Sequence, residues 1–506
     1  MSISAFEIAA DILDPSENKW LYDPVGWANK YIEWPYGRGL TVYQADILDM
    51  LYAEKRVAAR GPHGLGKTTL AAIAIIHFAI TRDMSKLDWK IPTTASAWRQ
   101  LTHFLWPEIS KWSKKIKWDL LGVKPWTKRE LLHLNLKLTF GEAFAVASNN
   151  SALIEGAHAD HILYIFDEAK AIEDATFDAA EGAFSGAGDD TEMEAFALAI
   201  STPGEPYGRF YQIHKRDKGF EDWKAIHIKL DQAIKSKRIS KDWAEQRKVQ
   251  WGEQSAVYQN RVLGEFASSD EDSIIPLAWI EQANERWLEF QDNGDTLPIL
   301  TSVGVDVARS GKDKTVLALR NENIISELRS YDFTLTTEVT GYATGVLEGN
   351  VSTSKAIVDV IGIGAGVFDS LHEKFKNRAI AFNAAAGTDN KDSSGELGFT
   401  NCRGAAWWNL RELLDPKNKQ TNAVMLPPDD FLIGDLTAPK WRVMQGGKIQ
   451  VESKDDLVKR LGRSTDHGDA VVMAFWEDSM TKRKEDYKKK LGAGFATGGG
   501  TKSWKM

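Results

Sequence analysis

Residues 55–80 read KRVAARGPHGLGKTTLAAIAIIHFAI, and this stretch decides how the first half of the chain folds. KRVAAR (55–60) is a short apolar run closed by Arg60 and predicts a strand, whereas TTLAAIAIIHFAI is too long and too apolar for one and predicts a buried helix. Between them Gly61, Gly66, Lys67 and Thr68 satisfy the pattern G-x-x-x-x-G-K-[ST] in full. The glycines let the backbone wrap tightly, so that successive N–H groups face a polyphosphate at the N-terminus of the helix. Lys67 brings a positive charge to the β and γ phosphates, and the Thr68 hydroxyl is a ligand for Mg²⁺. Strand, loop and helix are the context this motif requires, so the stretch reads as a site for ATP with Mg²⁺.

Such a loop needs acids on the metal side. ILYIF (162–166) is a fully apolar strand that ends in Asp167-Glu168 and so delivers two carboxylates to the edge of a sheet. Asp167 is expected to hold Mg²⁺ through its water shell and Glu168 to polarise the attacking water. FALAIST (196–202) predicts a neighbouring strand; Ser201 and Thr202 at its end are placed to sense the γ-phosphate and couple its state onward. Gln44, ahead of the loop, has an amide able to donate to and accept from an adenine edge. Arg60, Arg99 and Arg129 are candidates for the charge-stabilising arginine, which a neighbouring subunit is equally able to supply. LKLTF and AFAVAS add short strands, and strands alternating with helices predict a parallel sheet covered on both faces.

Composition sets wide bounds. The 506 residues carry 43% hydrophobic and 26% charged side chains, enough for two large domains. Cys402 is the single cysteine, which excludes an internal disulfide and a cysteine-rich zinc site and fits a reducing cytoplasm. The N-terminal run MSISAFEIAADILDPSENKW has no basic, apolar leader character. No apolar run approaches the roughly 20 residues that span a bilayer, so no membrane role is expected. A net charge of −8 does not argue against nucleic acid, because a local basic stripe suffices.

A new pattern begins near residue 298. PILTSVGVDVA predicts a strand, TVLALRNENIISELRSYDF two more, and KAIVDVIGIG another. Asp306 and Asp359 are charges inside otherwise apolar strands, an unfavourable placement unless a metal or partner compensates it. Asp466 and Asp469 lie three apart at the start of a terminal helix (466–480), and so share one face. Asp313 reads as a turn residue, and His467 as a surface residue of that helix. The expected division is 1–266, a connecting region 267–297, a second domain 298–480, and a flexible basic tail 481–506.

The runs TVYQADIL, RGPHGLGKTT, TTASAWRQL, SALIEGAHADHILYIFDEA and ALAISTPG together resemble the motor half of the large terminase subunits of tailed bacteriophages. VGVDVARSGKDKT, AIVDVIGIGAGV, FTNCRGAAWWNLRELL and IQVESKDDLVKRLGRSTDHGDAVVMAFW then follow in the order of the terminase nuclease. The resemblance implies an α/β chain with an N-terminal RecA-like P-loop ATPase domain and a C-terminal RNase H-like nuclease domain. It assigns Asp306, Asp359 and Asp469 as ligands of two Mg²⁺ or Mn²⁺ ions, with Asp466 as a fourth, and brings Lys454 toward the scissile phosphate. Asn401 and Arg403 match the family pattern, with structural roles equally open. The implied function is ATP-driven translocation of double-stranded DNA into a procapsid together with cutting of concatemeric DNA. The implied partners are the portal, a small terminase subunit and further copies of the chain in a ring, in the host cytoplasm. A helicase, or a non-catalytic nucleotide-binding assembly protein, is the alternative. The chain departs from the family in one respect: many members carry an arginine inside the phosphate loop, and here Pro62, His63, Gly64 and Leu65 fill it.

Overall fold

A computed structural model describes residues 19–476 apart from 149, 188–192, 267–272, 309–313, 333–334, 418–422 and 445. The expected basic tail and Asp313 lie outside the described residues. The chain divides into two compact units, the first built from residues 1–248 and 256–268 and the second from 249–255 and 269–506.

The first unit is organised on eight strands: β1 (Arg56–Arg60), β2 (Trp89–Ala95), β3 (Leu131–Leu132), β4 (Asn135–Lys137), β5 (Gly141–Ala147), β6 (His161–Asp167), β7 (Glu194–Ser201) and β8 (Lys224–His227). Their order is β3-β4-β5-β2-β6-β7-β1-β8. The six from β5 to β8 are parallel, and β3 and β4 extend the sheet antiparallel. Every residue of β6 is buried, because the sheet is covered on both faces. Leu163 and Ile165 enter one core with helices α1 (Val42–Glu54) and α2 (Lys67–Met84); Ile162, Tyr164 and Phe166 enter the other with Phe177 and Phe210. A parallel sheet wrapped by helices, with the phosphate loop between β1 and α2, is the RecA-like P-loop architecture.

The second unit carries β9 (Ser302–Asp306), β10 (Thr315–Asn321), β11 (Ile324–Tyr331), β12 (Lys355–Asp359) and β13 (Ala379–Phe382) in the order β11-β10-β9-β12-β13. β9–β10 and β10–β11 are antiparallel, β9–β12 and β12–β13 parallel, which is the RNase H-like arrangement. A small sheet joins β14 (Gly398–Phe399), β15 (Trp441–Met444) and β16 (Lys448–Val451). The helices are α3 (Leu277–Asn293), α4 (Thr336–Glu348), α5 (Gly364–Phe375), α6 (Cys402–Leu414), α7 (Asp430–Thr437), α8 (Lys454–Leu461) and α9 (Asp466–Ala474). Val303 and Val305 point into a core shared with Val339 and Leu347 of α4 and Val367 and Leu371 of α5. The other face of β9 meets α9. A Cβ on Gly304 would stand 1.9 Å from the Ala470 carbonyl, so only glycine admits the helix backbone this close.

The expected connecting region is not a linker throughout. Leu277, Ile280 and Ala283 form an apolar stripe that buries α3 within the second unit. Asn284 Nδ2 donates to the Leu426 carbonyl (2.9 Å), and Trp287 Nε1 to that of Ile325 (2.9 Å).

Two candidate active sites

In the first unit the loop turns at Gly64 and Gly66, both with φ in the left-handed region (+79° and +74°). Lys67 folds back over its own loop, Nζ donating to the Pro62 carbonyl at 2.7 Å and more weakly to that of Gly61 at 3.4 Å. Burial lowers the Lys67 ammonium to about 8. A cavity of about 430 Å³ opens here, lined by Gly66, Lys67, Thr68, Glu108 and Glu168. Thr69 and Lys111 line both this cavity and a second of about 840 Å³, which Tyr36, Arg38, Tyr43, Trp112 and Arg238 complete.

The end of β6 supplies the acids. Asp167 is buried, and burial, together with the neighbouring Glu168 charge, pushes its carboxyl up to about 7. Glu168 takes a left-handed conformation (φ +48°), uncommon for a non-glycine residue and a form of strain that concentrates at functional sites. Ser201, at the end of β7, donates its hydroxyl to Glu168 Oε2 at 3.0 Å. Thr202 is 1% exposed, and its Oγ1 has no hydrogen-bond partner among the described residues. The residues expected at the phosphates therefore stand together: Gly61, Gly66, Lys67 and Thr68 on the loop, Asp167, Glu168, Ser201 and Thr202 on the adjoining strand ends.

Gln44 is held against the phosphate loop. It is 1% exposed, accepts from the Thr41 N–H (3.1 Å) and donates to the Gly66 carbonyl (3.1 Å). Its amide caps α1 and braces the phosphate loop from behind, lining neither cavity. Among the arginines, Arg60 pairs with Glu265 at 2.8 Å and donates to the Gly264 carbonyl; Arg99 lies over the Phe104 ring; Arg129 is exposed. Sequence reasoning missed residues 259–265, which lie on the loop. His63 N–H donates to the Arg261 carbonyl (3.0 Å), and a Cβ on Gly264 would meet Pro62 at 2.7 Å. Pattern matching has no handle on such a contact.

In the second unit Val358 of β12 pairs with Val305 of β9, which sets Asp306 and Asp359 side by side at one sheet edge. α9 crosses that edge carrying Asp466 and Asp469. Lys454, the first residue of α8, reaches into the group: Nζ lies 3.1 Å from Asp306 Oδ2, 3.2 Å from Asp469 Oδ2 and 3.9 Å from Asp466 Oδ1. Arg403 donates to Asp469 Oδ1 at 2.6 Å, and the Thr465 hydroxyl to Asp469 Oδ2 at 3.0 Å. Asp359 lies within electrostatic reach of Lys454, Asp469 and Arg403.

These placements pull the carboxyls apart. Burial raises Asp306 to about 7, more than Lys454 offsets, and raises Asp359 as well. Asp469 is buried too, but Arg403 and Lys454 outweigh that and hold it at about 2. Lys454 is raised, the surrounding Asp306, Asp469 and Asp466 exceeding the opposing effect of burial. Among the described residues no group of three or more His, Cys, Asp or Glu side chains stands ready to hold a metal ion; the cation at the centre is the Lys454 ammonium. The donor chemistry still suits a hard divalent ion. Four carboxylates against the cations of Lys454 and Arg403 leave an excess of negative charge on oxygen ligands.

Asn401 caps α6 through Gly404 N–H (2.9 Å), a structural role. His467, expected at the surface, is buried: it shares a hydrogen bond with the Ser330 hydroxyl (2.7 Å) and stacks on Phe431. The Arg403–Asp469 pair was open in the sequence, and Asp435, described below, went unread although it too is an acid within an apolar run, FLIGDLT.

Comparison with known proteins bears out the resemblance. Residues 59–282 match the family described as terminase large subunit, T4likevirus-type, N-terminal. The chain is 26% identical over 349 residues to the probable terminase large subunit of Enterobacteria phage P7, a match covering 64% of this chain and 65% of that one. It thus spans a little under two thirds of that relative. Among solved structures, the large terminase of a thermophilic bacteriophage aligns over 86% of this chain and 98% of its own, at 13% identity and a TM-score of 0.39. The nuclease domain of the large terminase subunit gp2 of bacterial virus Sf6 aligns over 41% of this chain and 100% of its own, at 18% identity and a TM-score of 0.34.

Proposed function

We propose that this chain, which carries a terminase large-subunit domain, hydrolyses ATP to drive double-stranded DNA into a procapsid and cuts concatemeric DNA at a second, two-metal site. The observation that carries the reading is the coexistence of two unlike centres on two unlike sheets: Lys67, Glu168 and Ser201 at one, Asp306, Asp469 and Lys454 at the other. A helicase would set a second RecA-like sheet where this chain has the mixed five-stranded sheet.

At the first centre the loop amides and Lys67 hold the β and γ phosphates, the Thr68 hydroxyl and Asp167 face the Mg²⁺ side, and Glu168 orients water for in-line attack. The γ-phosphate competes for the Ser201 hydroxyl and offers a partner to Thr202, so hydrolysis changes what the end of β7 is bonded to. The larger cavity takes the nucleoside. At the second centre Asp306, Asp359 and Asp469, with Asp466, are the residues to hold Mg²⁺ or Mn²⁺. The ions, when bound, activate water and stabilise the leaving oxygen. Lys454, displaced from the carboxylates, is then near enough to pair with the scissile phosphate. Portal, small subunit and a ring of further copies are the partners this reading implies, in the host cytoplasm. No helix among the described residues is long and apolar enough to cross a membrane.

Incubation with supercoiled plasmid and Mn²⁺ tests it. Cleavage is expected without ATP and is lost in Asp306→Asn, while phosphate release from ATP persists. Strand separation that requires ATP, with no cleavage, would overturn the reading in favour of a helicase.

A further inference from the structure

Helix α9 begins with an unusual division of labour. Thr465 stands at its N-cap position, where a threonine hydroxyl ordinarily accepts from the N–H groups of the first turn. Here that hydroxyl donates to Asp469 Oδ2 (3.0 Å) and makes no capping bond. The buried first-turn donors without an intrahelical partner are met from another element: Asp435, on α7, accepts from His467 N–H at 3.0 Å and from Gly468 N–H at 3.1 Å, both through Oδ2. Its other oxygen pairs with Arg463, whose Nη1 also donates to the Ser464 carbonyl (2.7 Å). Asp435 is 0% exposed, and a Cβ on Gly468 would stand 2.8 Å from the Asp435 Cβ, so α7 and α9 touch at the cap.

We propose that Asp435 is a positioning residue for the second site: it caps α9 from outside, which frees Thr465 to orient Asp469 and fixes where Asp466 and Asp469 stand against Asp306. The inference rests on the nuclease reading above. The local alternative, a helix capped by its own Thr465, would turn that hydroxyl away from Asp469, leaving Arg403 and Lys454 to hold the carboxylate alone. An aspartate rather than an asparagine serves here because the second oxygen neutralises Arg463, which otherwise would be a largely buried cation with no acid partner. Asp435 touches no substrate in this scheme and acts through the helix it caps.

The experiment titrates Mn²⁺ in plasmid cleavage by the full chain carrying Asp435→Ala, Asp435→Asn, or Asp435→Asn with Arg463→Met, and measures ATP hydrolysis on the same preparations. Asp435→Ala is expected to lower cleavage and raise the Mn²⁺ requirement by about 10–100-fold, as loss of an outer partner of a metal ligand does, with ATP hydrolysis close to wild type. Asparagine keeps an oxygen for both N–H groups, so the double variant, free of the stranded arginine, is expected to recover most of the loss. Wild-type Mn²⁺ dependence in Asp435→Ala overturns the proposal, and so does a double variant as impaired as the alanine one. If Asp435→Ala does not fold, the double variant decides alone: near-normal Mn²⁺ dependence supports capping and a strongly raised requirement overturns it. Asp306→Asn, run alongside, separates the two claims. Full cleavage by that variant removes the nuclease reading itself, whereas its inactivity beside a fully active Asp435→Ala removes only the positioning role.

Discussion

The two sites differ in how far along the chain their parts are gathered from. At the phosphate loop one unbroken stretch, 61–68, supplies the backbone donors and the lysine, and Lys67 bonds to carbonyls of the same loop. At the carboxylate cluster Asp466 and Asp469 share one helix turn but meet partners from far along the chain: Lys454 and Asp306, in direct contact, are 148 residues apart. A site of the first kind is specified by a motif and stiffened by its own turn. A site of the second kind is specified by the packing of a whole domain, so its geometry answers to residues that never touch a substrate. Both lysines are already engaged, Lys67 by carbonyls of its own loop and Lys454 by carboxylates; on the proposed reading an incoming polyphosphate draws the first toward itself, whereas an incoming metal ion competes with the second.

This contrast is open to attack in order of expected size. Glu168→Gln keeps the phosphate contacts and removes the group that orients water, so ATP turnover is expected to fall about 10²–10⁴-fold with nucleotide binding retained. Plasmid cleavage by the same protein is expected to be unchanged; a parallel loss of both activities in folded protein would break the separation of the two centres. Lys454→Ala removes the competing ammonium and is expected to lower the Mn²⁺ concentration for half-maximal binding by roughly tenfold, about 1.4 kcal/mol. A weaker Mn²⁺ affinity, measured calorimetrically, would mean that the lysine assists the ion rather than occupying its place. The smallest effect is on pH. Asp306, raised to about 7 by burial, must lose its proton to accept an ion, so affinity rises with pH and levels off above that value. Between pH 7 and 8 the gain is expected to be roughly twofold, from half to nearly full ionisation. In Asp306→Asn the part of that dependence centred near 7 should be lost, leaving what the raised Asp359 contributes.

The fold was legible where periodicity and burial coincide. β1, β6, β7, β9 and β12 stand where apolar runs placed them, and α2 follows the loop as predicted. The phosphate-site residues were legible because their chemistry demands fixed spacing. Asp306 and Asp359 were legible for a different reason, a charge inside an apolar strand. Elsewhere the same signals misled or fell silent. Gln44 has the chemistry to read a base, but its spacing gave no sign that the same amide also bonds the Thr41 N–H and the Gly66 carbonyl. Residues 267–297 were read as a connection because SSDEDS and DNGDT flank them, and the stripe of Leu277, Ile280 and Ala283 between those flanks was underweighted. Lys454 was named from the resemblance, but its contacts with Asp306 and Asp469, like those of Asp435 with α9, depend on tertiary packing that no window of sequence contains.

Gly304, against which α9 lies, has a consequence for the order in which the protein is made. Ser302 donates its hydroxyl to the Ala474 carbonyl at 2.6 Å across 172 residues, so β9 waits uncovered on one face until α9 has been synthesised. At about 5–20 residues per second that interval is of the order of ten to thirty seconds on the ribosome. Throughout it Asp306 and Asp359 exist without Asp466 and Asp469, and a polypeptide released early has no complete carboxylate cluster. Every residue of the phosphate site, by contrast, has been made before β9 begins. On the proposed reading, the emerging chain therefore holds a complete nucleotide site well before it holds a complete nuclease site.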